Sequence, residues 1–258
     1  MSGTSGVKYN LDLVIDSKYR TNYSSTNSND FNINIPSKIE GQVVRYGLKS
    51  CMIPNTILIG GSFEIEDSIG VKVITIPSAN YTAETLRAEL ETQLNLAGTD
   101  TYTVTLSNNK YTITSSYNNF TINPNDIVSP NGILFKIGFG ISGIYVATIG
   151  VITSYAGINL SYPNYIFINI AQFAKHIKNI TGDFHSFIVP NTCSYGKIIS
   201  FNPESQFIQQ FIPYQFTFPN DVQTLSISLQ YSDGTLINLE NSDWSFVLTM
   251  EVISNFFA

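Results

Sequence analysis

The sequence predicts a mainly β protein: an antiparallel sandwich of two stacked sheets with a small inserted α+β subdomain that contains one clear helix. Three observations carry this. Short segments of alternating apolar and polar residues recur along most of the 258 residues, bounded by Asn, Pro, Gly and Ser. A single stretch, 82–98, shows helical periodicity with a signal at each end. Apolar residues make up 43% and aromatic residues 13%, enough to bury a core, while only 12% are charged, about half the usual share of roughly 25%. Many strands with one lone helix point to two sheets closed face to face.

The elements follow in order. Leu11, Leu13 and Ile15 alternate with Asp12, Val14 and Asp16, and the polar run 17–30 forms a long loop. Phe31, Ile33 and Ile35 alternate with Asn32 and Asn34 until Pro36 ends the strand. A longer strand at 43–52 stops at Pro54-Asn55, and strands at 63–66 and 71–76 flank a turn at 68–70. Thr82 is a suitable N-cap and Glu84 suits the positive first turn of the helix. Its buried stripe is Ala83, Leu86, Leu90, Leu94 and Ala97, with Gly98 as the stop and Arg87, Glu89, Glu91 and Gln93 opposite. Strands at 102–106 and 111–115 read as a hairpin about Ser107-Asn108-Asn109, followed by 120–123. Further strands are expected at 133–137, 144–153, 165–170, 186–189, 197–201, 214–218, 222–231 and 244–253. In 222–231, Leu225, Ile227 and Leu229 alternate with Ser226, Ser228 and Gln230, so one face is buried and the other is wet or meets a partner. The expected organisation is 1–76 as the first part of the sandwich with an N-terminal arm, 77–130 as the α+β insertion, and 131–258 as the second part. No internal repeat is present.

Composition removes several functions. With 13 basic and 19 acidic residues the net charge is −6, the wrong sign for a protein that binds nucleic acid by displacing counterions. Cys51 and Cys193 form no CxxC pair, and two reduced, packed thiols are expected. Residues 1–9, MSGTSGVKY, lack the apolar centre of a secretory signal, and Ser2 stands where N-myristoylation needs Gly. The apolar run 137–153 is broken by Gly138, Gly140, Gly143 and Gly150 and bounded by Lys136, short of the roughly 20 residues a membrane span needs. Buried strands with glycine turns are expected there.

The chemical candidates are thin. Gly138-Phe139-Gly140-Ile141-Ser142-Gly143 matches G-x-G-x-x-G, but strand formers follow it where a dinucleotide site needs a helix. No acidic residue appears until Asp183. His176 and His185 are the only histidines, and no G-x-S-x-G elbow supplies a nucleophile for His185 beside Asp183. Two isolated histidines without a Cys pair make no zinc set. Asp12 with Asp16, and Glu64 with Glu66, lie at even spacing and read as solvated strand faces rather than glycosidase carboxylates. The segment 123–126 has too few oxygen ligands for a calcium loop. Lys175, His176 and Lys178 make a small basic spot of solvated or interface character, and Trp244 belongs in the core with a partner for its indole N–H. No catalytic, cofactor-binding or metal residue is assigned, and no enzyme is expected.

Four blocks, kept in order along the chain, resemble the single-jelly-roll penton and related minor capsid proteins of virophages and large eukaryotic double-stranded DNA viruses. The first is Ile15-Asp16-Ser17-Lys18-Tyr19-Arg20, a polar loop, then Phe31-Asn32-Ile33-Asn34-Ile35. The second is Leu48-Lys49-Ser50-Cys51-Met52-Ile53-Pro54-Asn55-Thr56. The third is Ile76-Pro77-Ser78-Ala79-Asn80-Tyr81-Thr82 leading into Leu86 and Leu90, with Ala79 where the family pattern has Gly. The last is 229–234 with 237–239 and Asp243-Trp244-Ser245-Phe246, where Tyr231 replaces an Asp. The resemblance implies a jelly roll acting as a structural capsid protein, a homopentamer at the vertex of an icosahedral virion surrounded by major capsid protein. The alternative it leaves open is a minor capsid or fibre-base, receptor-binding β-sandwich, with host-surface contact through 77–130. A chain poor in charge and rich in Tyr, Phe and Asn suits surfaces that become buried between subunits. On that reading 1–8 and the loop 17–30 are the arms that reach neighbours.

Overall fold

The computed structural model describes residues 7–23, 26–35, 42–97, 99–128, 131–161, 163–172, 177–178, 184–202, 212–213 and 224–253. The chain divides into two compact units, one formed by Met1–Ile57 with Asn164–Ala258 and the other by Leu58–Pro163. The first unit contains β1 (Lys8–Asp16), β2 (Asp30–Asn34) and β3 (Gln42–Pro54). The second contains β4 (Ile59–Glu66), β5 (Val71–Ala79), α1 (Ala83–Ala97), β6 (Tyr102–Ser107), β7 (Lys110–Ser115), β8 (Thr121–Ile122), α2 (Ile133–Lys136), β9 (Tyr145–Val146) and β10 (Val151–Thr153). The chain then returns to the first unit with β11 (Tyr165–Ile170), β12 (Ile177–Lys178), β13 (Phe184–His185), β14 (Phe187–Pro190) and β15 (Ile198–Phe201). It ends with β16 (Ile212–Pro213), β17 (Thr224–Gln230) and β18 (Ser245–Ile253).

The first unit is a jelly roll, shown by its own strand order. One sheet runs β1-β18-β3-β15, with the short β16 also on β3, and the other runs β14-β11-β17-β2. Counting β1, β2, β3, β11, β14, β15, β17 and β18 as first to eighth, the orders are first-eighth-third-sixth and fifth-fourth-seventh-second. All pairs are antiparallel, the pattern of an eight-stranded, two-sheet jelly roll. Period-2 side-chain alternation closes it. Leu225, Ile227 and Leu229 point inward from β17, opposite Ile15, Leu48, Phe246 and Leu248 of the other sheet, in one shared core. Tyr46 and Phe187 meet edge to face across that core, with centroids 5.7 Å apart.

The second unit has its own core. Leu86, Leu90 and Leu94 of α1 are fully buried with Tyr111, Val104 and Ile113 of the β6–β7 hairpin and with Phe63, Ile65, Ile74 and Ile76 of the β4–β5 hairpin. Helix α1 begins as its sequence says it should. The Thr85 N–H donates to Thr82 Oγ1 (3.2 Å), and the Thr82 N–H donates back to Thr85 Oγ1 (2.9 Å), a reciprocal cap in which Thr replaces the usual Glu or Gln.

The unit is wider than the expected insertion 77–130. β4 pairs with β8 at Ile65↔Ile122, and β7 pairs with β10 at Ile113↔Ile152. Both hairpins therefore bury their apolar faces in the second core. The expected strand 133–137 is instead a single helical turn, α2, which places Ile133 and Ile137 on one side, both fully buried. The expected strand 144–153 is split by a turn at Ile149-Gly150. The strand expected at 214–218 lies outside the described residues.

One buried ion pair ties this unit's turns together. Asp67 accepts from Lys72 Nζ (2.7 Å) and from the backbone N–H groups of Ile69 (3.0 Å) and Thr99 (3.2 Å). Burial alone would raise its pKa, but these donors outweigh it and hold the carboxyl at about 2. A depressed carboxyl stabilises the folded state above its unfolded value near 3.8 and loses that contribution as pH falls toward 2. Relative to the intrinsic rate, hydrogen exchange of the α1 amides should therefore rise as pH falls from about 4 to about 2. Asp67→Asn should flatten that rise, and an unchanged pH dependence in the variant would refute the assignment.

Candidate assembly surfaces

Two of the sequence blocks meet in space, although they are more than 220 residues apart. Asp16 ends β1 and caps a 3₁₀ turn, Ser17–Tyr19, by accepting from the Lys18 N–H (3.0 Å). This turn delivers Arg20 inward, 5% exposed. Its guanidinium donates to Asp243 Oδ1 (2.6 Å), to the Ser17 carbonyl (2.8 Å) and to the Thr26 carbonyl (3.1 Å). Ser17 Oγ and Tyr23 Oη also donate to Asp243 (3.0 and 3.1 Å), and Tyr23 lies under the guanidinium at 3.8 Å. Burial pushes the Asp243 carboxyl up, but the bonds from Arg20, Ser17 and Tyr23 hold it below the usual range. Beside it Trp244 stacks on Phe246 (5.3 Å), meets Phe31 edge to face (5.9 Å) and donates its indole N–H to the Ser28 carbonyl (2.6 Å). Trp244 is thus core with a satisfied N–H, as its position implied. The loop 17–30 was expected to be an arm, but its described residues are bonded to their own unit. Nine of those residues lie between β1 and β2 with backbone groups already engaged, among them the Thr21 N–H on the Asn32 carbonyl (2.7 Å).

The Ile53-Pro54-Asn55-Thr56 block is a second joint. Asn55 Nδ2 donates to the Cys193 carbonyl (2.7 Å), while the Asn55 N–H reaches Lys197 and its carbonyl accepts from the Gly196 N–H (both 2.8 Å). Thr56 Oγ1 donates to the Leu239 carbonyl (2.7 Å). These bonds fasten the end of β3 to the 191–197 loop and the 237–239 segment. Cys51 and Cys193 are free thiols, and burial pushes Cys51 to about 12, so it is unreactive.

The chemical candidates do not converge. The G-x-G-x-x-G loop follows α2 and runs into β9, so no helix N-terminus faces it. Its glycines serve packing: Gly138, at φ +88°, would place a Cβ 2.3 Å from the Ala156 carbonyl oxygen. Asp12 is paired with Lys49 (2.6 Å), Asp16 with Lys18 (2.9 Å), and Glu64 accepts from Asn125 (2.7 Å). Glu64 and Glu66 lie on the outer face of β4. Lys175, His176 and Asp183 lie outside the described residues, while Lys178 and His185 fall on β12 and β13. Among the described residues no three His, Cys, Asp or Glu side chains gather where a metal ion could sit, and no helix is long and apolar enough to cross a membrane.

Beside its ion pairs the molecule presents uncharged stretches of surface. On the first sheet of the jelly roll, Val14, Met52 and Ile198 are 54–69% exposed among Ser50, Ser200 and Ser245. On the second sheet several outward groups are amides and hydroxyls that bond each other: Thr224 to Asn34 (2.9 Å), Gln172 to Ser226 (3.3 Å) and Gln230 to Ser228 (3.0 Å). In the second unit Val71, Val73, Ile127, Val128, Ile141, Ile144, Val146 and Ile149 are all exposed. Sequence reasoning identified the polar outer face of β17 but not the exposed aliphatic residues of the second unit, of which those at 71–73 and 144–149 read as strand and Ile127 and Val128 as loop.

No protein-family model matches the chain, and no curated protein sequence matches it. Among solved structures it is similar to the mavirus penton protein at 12% identity, covering 96% of this chain and all of that one, with a TM-score of 0.48. It is also similar to a chain in the structure of the Sputnik virophage at 11% identity, covering 94% of this chain and 97% of that one, with a TM-score of 0.35.

Proposed function

We propose that this protein is a structural capsid component that self-associates as a ring of five and closes the vertices of an icosahedral double-stranded DNA virus or virophage. Its place is then the virion, its partners are copies of itself and the surrounding major capsid protein, and its role is mechanical rather than catalytic. The observation that carries the reading is where the four penton-like blocks fall. The first and last join at the Arg20–Asp243 ion pair of the jelly roll. The second fastens the end of β3 just before the chain leaves for the other unit. The third caps α1 within that unit. Each family-like block thus supplies a joint of the fold.

The number five comes from the resemblance alone; closed cyclic symmetry is what physics adds, because it hides sticky flanks and limits growth. A pentamer of 28.6 kDa chains has a mass of about 143 kDa. Light scattering of the purified chain, alone and mixed with major capsid protein, should show that species, and electron microscopy should place it at vertices. A chain that neither forms rings nor enters vertices would overturn the reading.

A further inference from the structure

The turn between β9 and β10 breaks a rule the rest of the chain obeys. Among the described residues, the non-glycine positions with left-handed φ are Asn22, Asn108, Asn109, Asn123, Asp126, Glu240, Asn241 and Ile149. All but the last are polar, and most are Asn or Asp, whose short side chains tolerate this conformation. Ile149 is β-branched, sits at φ +52°, and is 81% exposed. Nothing in its own chain repays that conformation with burial.

The turn is also rigid. Thr148 and Val151 exchange backbone hydrogen bonds (3.0 and 3.2 Å) around Ile149 and Gly150, and both central residues have positive φ. That is the two-residue turn for which Asn-Gly is the favoured sequence. Gly150 is bolted on both sides: its carbonyl accepts from the Ser115 N–H (2.8 Å) and its N–H donates to the Asn118 carbonyl (2.9 Å). The aliphatic side chain is therefore held out on a fixed stalk, with its backbone entropy already lost. An apolar anchor that is pre-organised and exposed has the character of an interface hot spot.

The same unit carries a recess that matches it. A cleft of about 160 Å³ opens beside β4 and β5, and its apolar lining is Phe63, Val73, Ile127, Ile133, Leu134 and Ile141. Glu64, its one charged lining residue, has a carboxylate oxygen engaged by Asn125 (2.7 Å). The flanks of the anchor, Thr148, Gly150 and Val151, are uncharged, so insertion brings no second ion to the cleft.

We propose that Ile149 of one copy inserts into this cleft on the second unit of a neighbouring copy. Anchor and recess are different surfaces, so the contact is head-to-tail, the kind that closes rings when the rotation permits. The inference rests on the ring reading above and assigns to that ring one specific contact.

The test uses the full chain and the variant Ile149→Asn. Asparagine suits the left-handed position, so thermal stability should rise by a few degrees while the concentration for half-assembly rises about tenfold or more. A variant that assembles as the wild type does would overturn the contact and leave the ring standing. Second, in a Cys193→Ser background, Ile149→Cys and Ile141→Cys chains should cross-link under mild oxidation when mixed, and neither should cross-link alone. Cross-linking of Ile149→Cys with itself, or none in the mixture while the wild type forms rings, would overturn it equally. A wild-type chain that stays monomeric even with major capsid protein would instead remove the ring, and this contact with it.

Discussion

Arg20→Met should lower the stability of the jelly-roll unit by about 3 kcal/mol, the low end of the cost of breaking a buried ion pair. Methionine fills similar space but offers no donor. Asp243 Oδ1, the Ser17 carbonyl and the Thr26 carbonyl would each lose the guanidinium that now bonds them. The Asp243 side chain is 33% exposed against 3% for Arg20, so water can rehydrate the carboxylate and the loss stays below the maximum. Trp244 is the only tryptophan, is 3% exposed, and belongs to this unit. Its fluorescence therefore follows this unit alone. With a slope of about 2 kcal/mol per molar urea, the midpoint should fall by roughly 1.5 M.

Asp243→Asn is the informative companion. It keeps an acceptor at Oδ1 for Ser17 and Arg20 but removes the charge, leaving a buried cation less well compensated. If the pair acts as a unit, the double variant should cost less than the sum of the singles by about 1–3 kcal/mol. Additive effects would mean that Arg20 works mainly through its bonds to the two carbonyls and that the ionic link between the blocks is incidental.

How far the sequence could be read depends on whether each feature is local. Helix α1 was legible because its cap, stripe and stop lie within 82–98, and its boundaries came out as Ala83–Ala97. β11 was legible to the residue, and β17 announced its buried and polar faces through strict alternation. The four-residue helix α2 was not, since Ile-Leu-Phe favours strand and only packing of Ile133 and Ile137 into the second core bends it into a turn. The extent of the second unit was hidden for a related reason. Strands β4 and β5 alternate like jelly-roll strands, and only the pairing of β4 with β8 decides which core the hairpin joins. The Arg20–Asp243 link was visible as two motifs but not as a pair. Ile149 gave no signal, because it lies inside the segment 144–153 that reads as one strand.

Gly138→Ala should destabilise the second unit by about 3–4 kcal/mol, more than its backbone conformation alone explains. Two effects act there. At φ +88° any side chain is strained, and a Cβ would stand 2.3 Å from the Ala156 carbonyl oxygen and 3.0 Å from its carbon. The clash is with backbone, and Gly138 itself accepts from the Ala156 N–H (2.8 Å), so the segments cannot part without breaking that bond. Gly234→Ala separates the two effects. It has nearly the same φ, +84°, with nothing within 4 Å of its Cβ, so it should cost only about 1–2 kcal/mol of conformational strain. Trp244 fluorescence reads Gly234→Ala, and hydrogen exchange of the α1 amides reads Gly138→Ala. If the two variants cost the same, close approach to Ala156 is not why the loop needs glycine at 138, and its reading as a packing device gives way.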